Sequence, residues 1–236
     1  RGTLTPQLRG TADGAATTLI LVDLGQGRRR LGGSMLAQVL AQPGRFGDEV
    51  PDLDDPARLA ALVRAINRLR REGKLLAYHD RSDGGLWACV CEMAFAGRVG
   101  VSLNVDLLIT DGDGIADSRA EFGDAKNWAA QIGPRREALT LEALFNEELG
   151  VVVEVASAER DAVLALLREE GLSRHSHVIG KTNAVQQVQV WRDAKQVWSA
   201  QLATLLDAWD QVSWRIARER DRPEAADAEH AAACDT

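Results

Sequence analysis

Residues 78–86 read Tyr-His-Asp-Arg-Ser-Asp-Gly-Gly-Leu, and the groups that could do chemistry crowd into this stretch. Asp80 and Asp83 supply hard carboxylate oxygens of the kind that hold Mg²⁺. Ser82 adds a hydroxyl suited to a phosphate or to the metal's shell. Gly84 and Gly85 let the backbone approach a ligand with no Cβ in the way. His79 is a tempting base, but a histidine at a strand end is more often a structural hydrogen-bonder. The competing account is a tight turn in which Asp80 or Ser82 only caps the helix that follows.

Two elements must position these groups. Lys74 to Tyr78 reads as a short buried strand. Leu86 to Ala96 reads as a helix, with Leu86, Val90, Met93 and Ala94 on one face and Gly97 as its stop. The start of that helix would offer free N–H groups and a positive dipole end, which suit a phosphate. A smaller version of the same grammar comes earlier. Thr17 to Leu24 is an apolar strand, Gly25 to Arg30 a basic turn, and Gly32, Gly33 and Ser34 open a helix through about Gln42. Those three residues could cradle a phosphate. Helix packing and capping is the blander account, favoured because no carboxylate accompanies them.

The rest of the chain alternates between strand and helix patterns. Residues 1–16 read as an irregular lead-in. Asp55 is an N-cap with Pro56 at the first helical position, and the stripe Leu59, Leu62, Val63, Ile66 and Leu69 runs to a stop at Gly73. Val99 to Val105 is a strand. Residues 107–140 are polar, bracketed by Asp111-Gly112-Asp113-Gly114 and Gly133-Pro134, and read as a surface insertion expected to open easily. Leu141 to Phe145 is a helical turn, and Asn146 to Gly150 leads into the strand Val151 to Val155. Ser157 caps a helix to Glu170. Strands at 178–181, 185–191 and 196–198 precede a helix from about Gln201 to Arg218, whose Leu202, Leu205, Leu206, Trp209, Val212 and Ile216 are expected to pack. Beyond Arg220 the composition reads as a linker.

The net charge of −7 argues against nucleic acid or an anionic membrane as the main partner. No apolar run nears the roughly 20 residues needed to span a bilayer. Three cysteines make no disulfide framework, and Cys89 and Cys91, two apart on a helix, do not chelate together. A reducing cytoplasm is the expected compartment. The alternation of elements predicts an α/β (α+β layered) fold, a mixed sheet with helices packed on it.

His79 to Leu86, with Glu92-Met93-Ala94-Phe95-Ala96-Gly97 behind it, closely resembles the large, single-chain phosphoribosylformylglycinamidine synthases of purine biosynthesis. The likeness extends to Thr3 to Leu8, to Leu144 to Gly150, and to Trp214, Arg218, Arg220-Asp221 and Ala228-Glu229-His230. It implies that residues 1–218 form a C-terminal domain of the aminoimidazole ribonucleotide synthetase superfamily. Residues 219–236 would then be a linker towards a glutaminase domain. The family's enzymes use ATP and glutamine to amidate formylglycinamide ribonucleotide to formylglycinamidine ribonucleotide.

By position, the resemblance implies Asp80 as a Mg²⁺ ligand and Ser82 as a contact to ATP or ADP, in a site thought to be structural rather than catalytic. Asp83, Gly84, Gly85, Gly32, Gly33 and Ser34 are neighbours with no such assignment. The implied partners are the N-terminal synthetase half and the glutaminase domain of the same polypeptide, and the segment alone is expected to be inactive. A rival reading, from a different class, is a scaffolding or interface module with no ligand of its own. A stand-alone kinase or synthetase of the superfamily is disfavoured, since the half that would carry most nucleotide ligands is missing.

Overall fold

A computed structural model describes residues 3–10, 16–110 and 125–235. Strand β1 (Thr17–Asp23) is buried along its whole length, and its aliphatic side chains divide between two cores. Leu19 and Leu21 point into one, Ile20 and Val22 into the other. Strand β4 (Gly150–Ala156) divides in the same way, with Val152 facing the first core and Val151, Val153 and Val155 the second. A period of two with apolar residues on both faces is what a strand covered on both sides requires.

The other strands are β2 (Ala77–Arg81), β3 (Gly100–Asn104), β5 (Ser176–Asn183), β6 (Gln187–Arg192) and β7 (Lys195–Gln201). They form one seven-stranded mixed sheet in the order β2-β4-β1-β5-β3-β6-β7. All neighbours run antiparallel except β3 and β6, which are parallel. The helices are α1 (Met35–Val39), α2 (Pro56–Arg71), α3 (Gly85–Gly97), α4 (Asp106–Ile109), α5 (Ala125–Phe145), α6 (Arg160–Glu169), α7 (Leu202–Arg220) and α8 (Pro223–Cys234). Residues of α3, α4, α5 and the start of α7 fill the first core, while α2 and α6 fill the second. The expected α/β layering is therefore the fold, with the sheet as its middle layer.

Several local expectations are corrected. β2 runs from Ala77 to Arg81, so Asp80 is a strand residue and not part of the following turn. Pro134 does not bracket a loop but lies inside α5, whose final turns are anchored in the first core by Leu139, Ala143 and Leu144. The stretch read as a surface insertion is thus tied to the core at both ends, since Ile109 is also fully buried. Residues 111–124 lie outside the described residues. Ser157 caps no helix; it opens a single tight turn, and its hydroxyl bonds Thr18 Oγ1 at 2.8 Å.

The tail read as a linker includes α8, folded against α7, because Trp214 Nε1 and Arg218 Nε both donate to Asp227, each at 3.0 Å. The apolar stripe of α7 is buried only at its start. Trp209, Val212 and Ile216 remain exposed beyond Leu202 and Leu206. Among the described residues no helix is long and apolar enough to cross a membrane.

Candidate functional site

The two glycine-rich turns, about fifty residues apart in sequence, meet at one carboxylate. Glu147 Oε1 accepts from Gly84 N and from Met35 N, each at 2.8 Å. These are backbone donors at the starts of α3 and α1, where helices leave N–H groups without internal partners. A single side chain therefore occupies the place where a phosphate was expected. Neither Asp80 nor Ser82 caps α3: its N-cap is Gly84, in the left-handed region at φ +79°, with no side-chain cap. Ser34 does cap α1, its buried hydroxyl accepting from Ala37 N at 3.3 Å, so at the earlier turn the capping account holds.

The glycines divide by what fills the space beside them. A Cβ on Gly85 would meet the backbone of Leu144, Phe145 and Asn146 at 2.8 Å or less, and one on Gly32 would lie 2.5 Å from Glu49 O. Both serve close backbone packing rather than approach to a ligand. Gly33 has only Val50 within reach, at 3.8 Å, and opens on a groove.

That groove, about 780 Å³, runs along the α2 face of the edge strand β2. Gly32, Gly33, Asp80, Ser82, Asp83 and Glu147 are on its rim, with Leu59, Leu62, Ile66 and Tyr78 supplying an apolar floor. Ser34, Gly84 and Gly85 do not line it. Asp80 projects from the strand with its side chain 68% exposed, and His79 Nδ1 lies 3.6 Å from its Oδ1. His79 is otherwise engaged with Glu92, Nε2 to Oε2, at 2.8 Å, as a structural histidine would be.

Beneath the rim lies a buried ionic framework that the sequence reading passes over. Arg30 grips Glu148 with two bonds, Nε to Oε1 at 2.6 Å and Nη2 to Oε2 at 2.7 Å. Glu148 is fully buried, and the pairing holds the Arg30 guanidinium above its ordinary pKa. Arg81, also buried, pairs with Asp23 and donates to the carbonyls of Glu148 and Leu149. These bonds fix the 146–149 segment, and with it Glu147. The available signal was Glu147-Glu148 ahead of a buried strand, a pair the sequence reading treats as a lead-in.

The donor set on the rim fits a hard cation that arrives with part of its own shell. Mg²⁺ is commonly held by one or two carboxylates, with water and phosphate oxygens completing the octahedron. The exposed carboxylate of Asp80, with Asp83 and Ser82 on the same rim, meets that demand. Among the described residues, the one cluster of three or more side chains arranged to ligate a metal is elsewhere, at Asp207, His230 and Cys234. There both ring nitrogens of His230 already face carboxylates, Asp210 at 2.7 Å and Asp207 at 2.9 Å. Burial, with the same two aspartates, pushes the Cys234 thiol up, away from the thiolate form that would react. Burial likewise pushes the Cys89 and Cys91 thiols far up.

Residues 18–193 match the family model described as "AIR synthase related protein, C-terminal domain". Among solved structures, Thermotoga maritima PurL complexed with FGAR aligns over 86% of this chain and 29% of its own, at 14% identity and a TM-score of 0.62. The same protein complexed with ATP aligns over 86% and 27%, at 12% identity and 0.55. Escherichia coli HypE, a hydrogenase maturation protein, aligns over 85% and 52%, at 19% identity and 0.50. The chain thus spans little more than a quarter of the PurL structures and about half of HypE.

Proposed function

Because the chain belongs to the family of AIR synthase related proteins, through their C-terminal domain, we propose that it is part of a phosphoribosylformylglycinamidine synthase and supplies one wall of a Mg-nucleotide site. The observation that carries this reading is the joining of the two glycine-rich turns by Glu147 on the rim of one groove, with Asp80, Ser82 and Asp83 beside it. The PurL relatives that share the fold are solved with ATP and with FGAR. The rim carries three carboxylates, and the one arginine among the groove's lining residues, the buried Arg81, is committed to Asp23. Such a surface repels a bare phosphate and accepts one only with a cation between them. Asp80 and Asp83 would hold the ion, Ser82 would bond a phosphate oxygen, and the apolar floor would take a base. The bound Mg²⁺ would supply the charge that makes phosphates acceptable here.

The remaining wall would come from other parts of a longer, cytoplasmic polypeptide, its synthetase half and its glutaminase. The exposed Trp209, Val212 and Ile216 on α7 favour such covering partners. They also favour the rival reading, an interface module with no ligand, in which Glu147 alone satisfies both helix starts. Calorimetric titration with ADP, with and without Mg²⁺, separates the two. Saturable binding that needs Mg²⁺ and fails in Asp80→Asn supports the nucleotide site. No binding under either condition, in this chain or in the longer protein, leaves the interface module.

A further inference from the structure

A second cavity, of about 330 Å³, opens at the end of the sheet where β1 leaves and β5 enters. Its walls carry Arg28, Arg29, Arg58, Arg174 and His175, in a protein whose net charge is −7. The only carboxylate among its lining residues is Asp23, and that group is already taken by Arg81 Nη2 and Gly25 N. Arg28 and Arg58 use few of their donors. Arg28 spends Nη1 on Asp54 at 2.9 Å, with its side chain 55% exposed. Arg58 pairs with Asp55 at 3.2 Å and donates to Gly171 O. A guanidinium has five N–H donors, so each keeps several for a ligand. Arg174 has no hydrogen-bond or ion-pair partner among the described residues. His175 is buried, and its Nδ1 donates to the carbonyl of Asp23 at 2.8 Å, which fixes the ring.

We propose that this cavity is an anion site that takes the phosphate group of a small phosphorylated metabolite, or free phosphate. Forked guanidinium donors brought to one cavity from three segments, the turn after β1, the start of α2 and the turn before β5, match the tetrahedral oxygens of phosphate. Leu107 and Leu108, which also line the cavity, offer an apolar surface for the organic body of a phosphate ester. This site does not rest on the nucleotide reading: the Asp80 rim is acidic and needs a cation, whereas this cavity is basic and needs none.

The test is a thermal-shift titration of the 236-residue chain with inorganic phosphate at fixed ionic strength, against chloride, in parallel with glycerol phosphate. The variant is Arg28→Gln/Arg174→Gln, two exposed side chains outside the core. Phosphate is expected to raise the melting temperature saturably where chloride does not. The double variant is expected to weaken binding at least about tenfold, the loss of one charge-assisted contact or more. Tighter binding of glycerol phosphate assigns the site to a phosphate ester, and equal or weaker binding to free phosphate. No saturable shift, a shift reproduced by chloride, or an affinity unchanged in the double variant overturns the proposal. Mg·ADP binding, measured in the same variant, is expected to be unaffected.

Discussion

Asp80 caps nothing and is largely exposed, so its substitution separates metal ligation from structure cleanly. Asp80→Asn should change stability by no more than about 0.5 kcal/mol without ligand. With Mg·ADP at about 100 times Kd for the unaltered chain, a gap of roughly 2.7 kcal/mol should open, since a bound ligand stabilises by RT ln(1 + [L]/Kd). Melting both proteins in both conditions checks it; an equal shift with and without nucleotide removes Asp80 from the metal. Glu147 behaves oppositely. Glu147→Ala strips the acceptor from two backbone donors and should cost about 2 kcal/mol in urea unfolding, with or without ligand. A cost near zero would mean that water takes over at both helix starts.

At the scale of elements, the 146–149 segment is held by one buried ion pair, Arg30–Glu148, and by hydrogen bonds from Arg81 to its carbonyls. Arg30→Met would leave Glu148 charged and fully buried, and should cost about 3–5 kcal/mol. Arg30→Met/Glu148→Met should recover most of that loss. A double variant as unstable as the single one would show that the bonds, and not the stranded charge, carry the energy.

The clasp between α7 and α8 is a different device. His230 stacks on Trp214 with ring centroids 4.5 Å apart and lies between Asp210 and Asp207. Its pKa is raised, chiefly by the hydrogen bond to Asp210 and further by Asp207. A group raised on folding contributes fully below the free histidine value of about 6.5, and its contribution is lost as pH rises through the raised one. Hydrogen exchange in residues 223–234 should therefore accelerate, beyond its intrinsic pH dependence, as the pH climbs through that range. Asp210→Asn should remove most of the effect, and an unchanged profile would place the clasp in the Trp214 contact alone.

For the molecule as a whole, the chain spans little more than a quarter of the PurL structures it matches. If, as proposed, this chain supplies only part of the site, the purified chain should show no ATP- and glutamine-dependent turnover of formylglycinamide ribonucleotide; none of its three cysteines lines the groove. Cys89 and Cys91 are buried in the first core, and Cys234 lies in the α8 clasp. Detectable turnover would contradict the proposal that this chain holds only part of the site.

Sequence alone determined the elements whose signal is local. The buried run of β1 and the Asp55-Pro56 start of α2 are each set by neighbours within a turn or two, and so was the likeness carried by residues 79–86. The expected stop of α3 at Gly97 was not, since Gly97 is still helical, packed on the Leu8 backbone, and the left-handed C-cap is Arg98. Sequence also gathered Asp80, Ser82 and Asp83 into one stretch, since they are contiguous. Tertiary structure decided everything that depended on distant partners. Glu147 reaches Met35 and Gly84 across 112 and 63 residues, and Arg30 reaches Glu148 across 118; no periodicity records such a pairing. Gly85 looked like a place for a ligand because sequence shows a missing Cβ but not the 144–146 backbone that fills the space. The α7 stripe looked buried because spacing reveals an apolar face without revealing what covers it. The tail looked like a linker because its hold on α7, the pairing of Asp227 and His230 with side chains two turns or more away, exists only once the two helices have folded together.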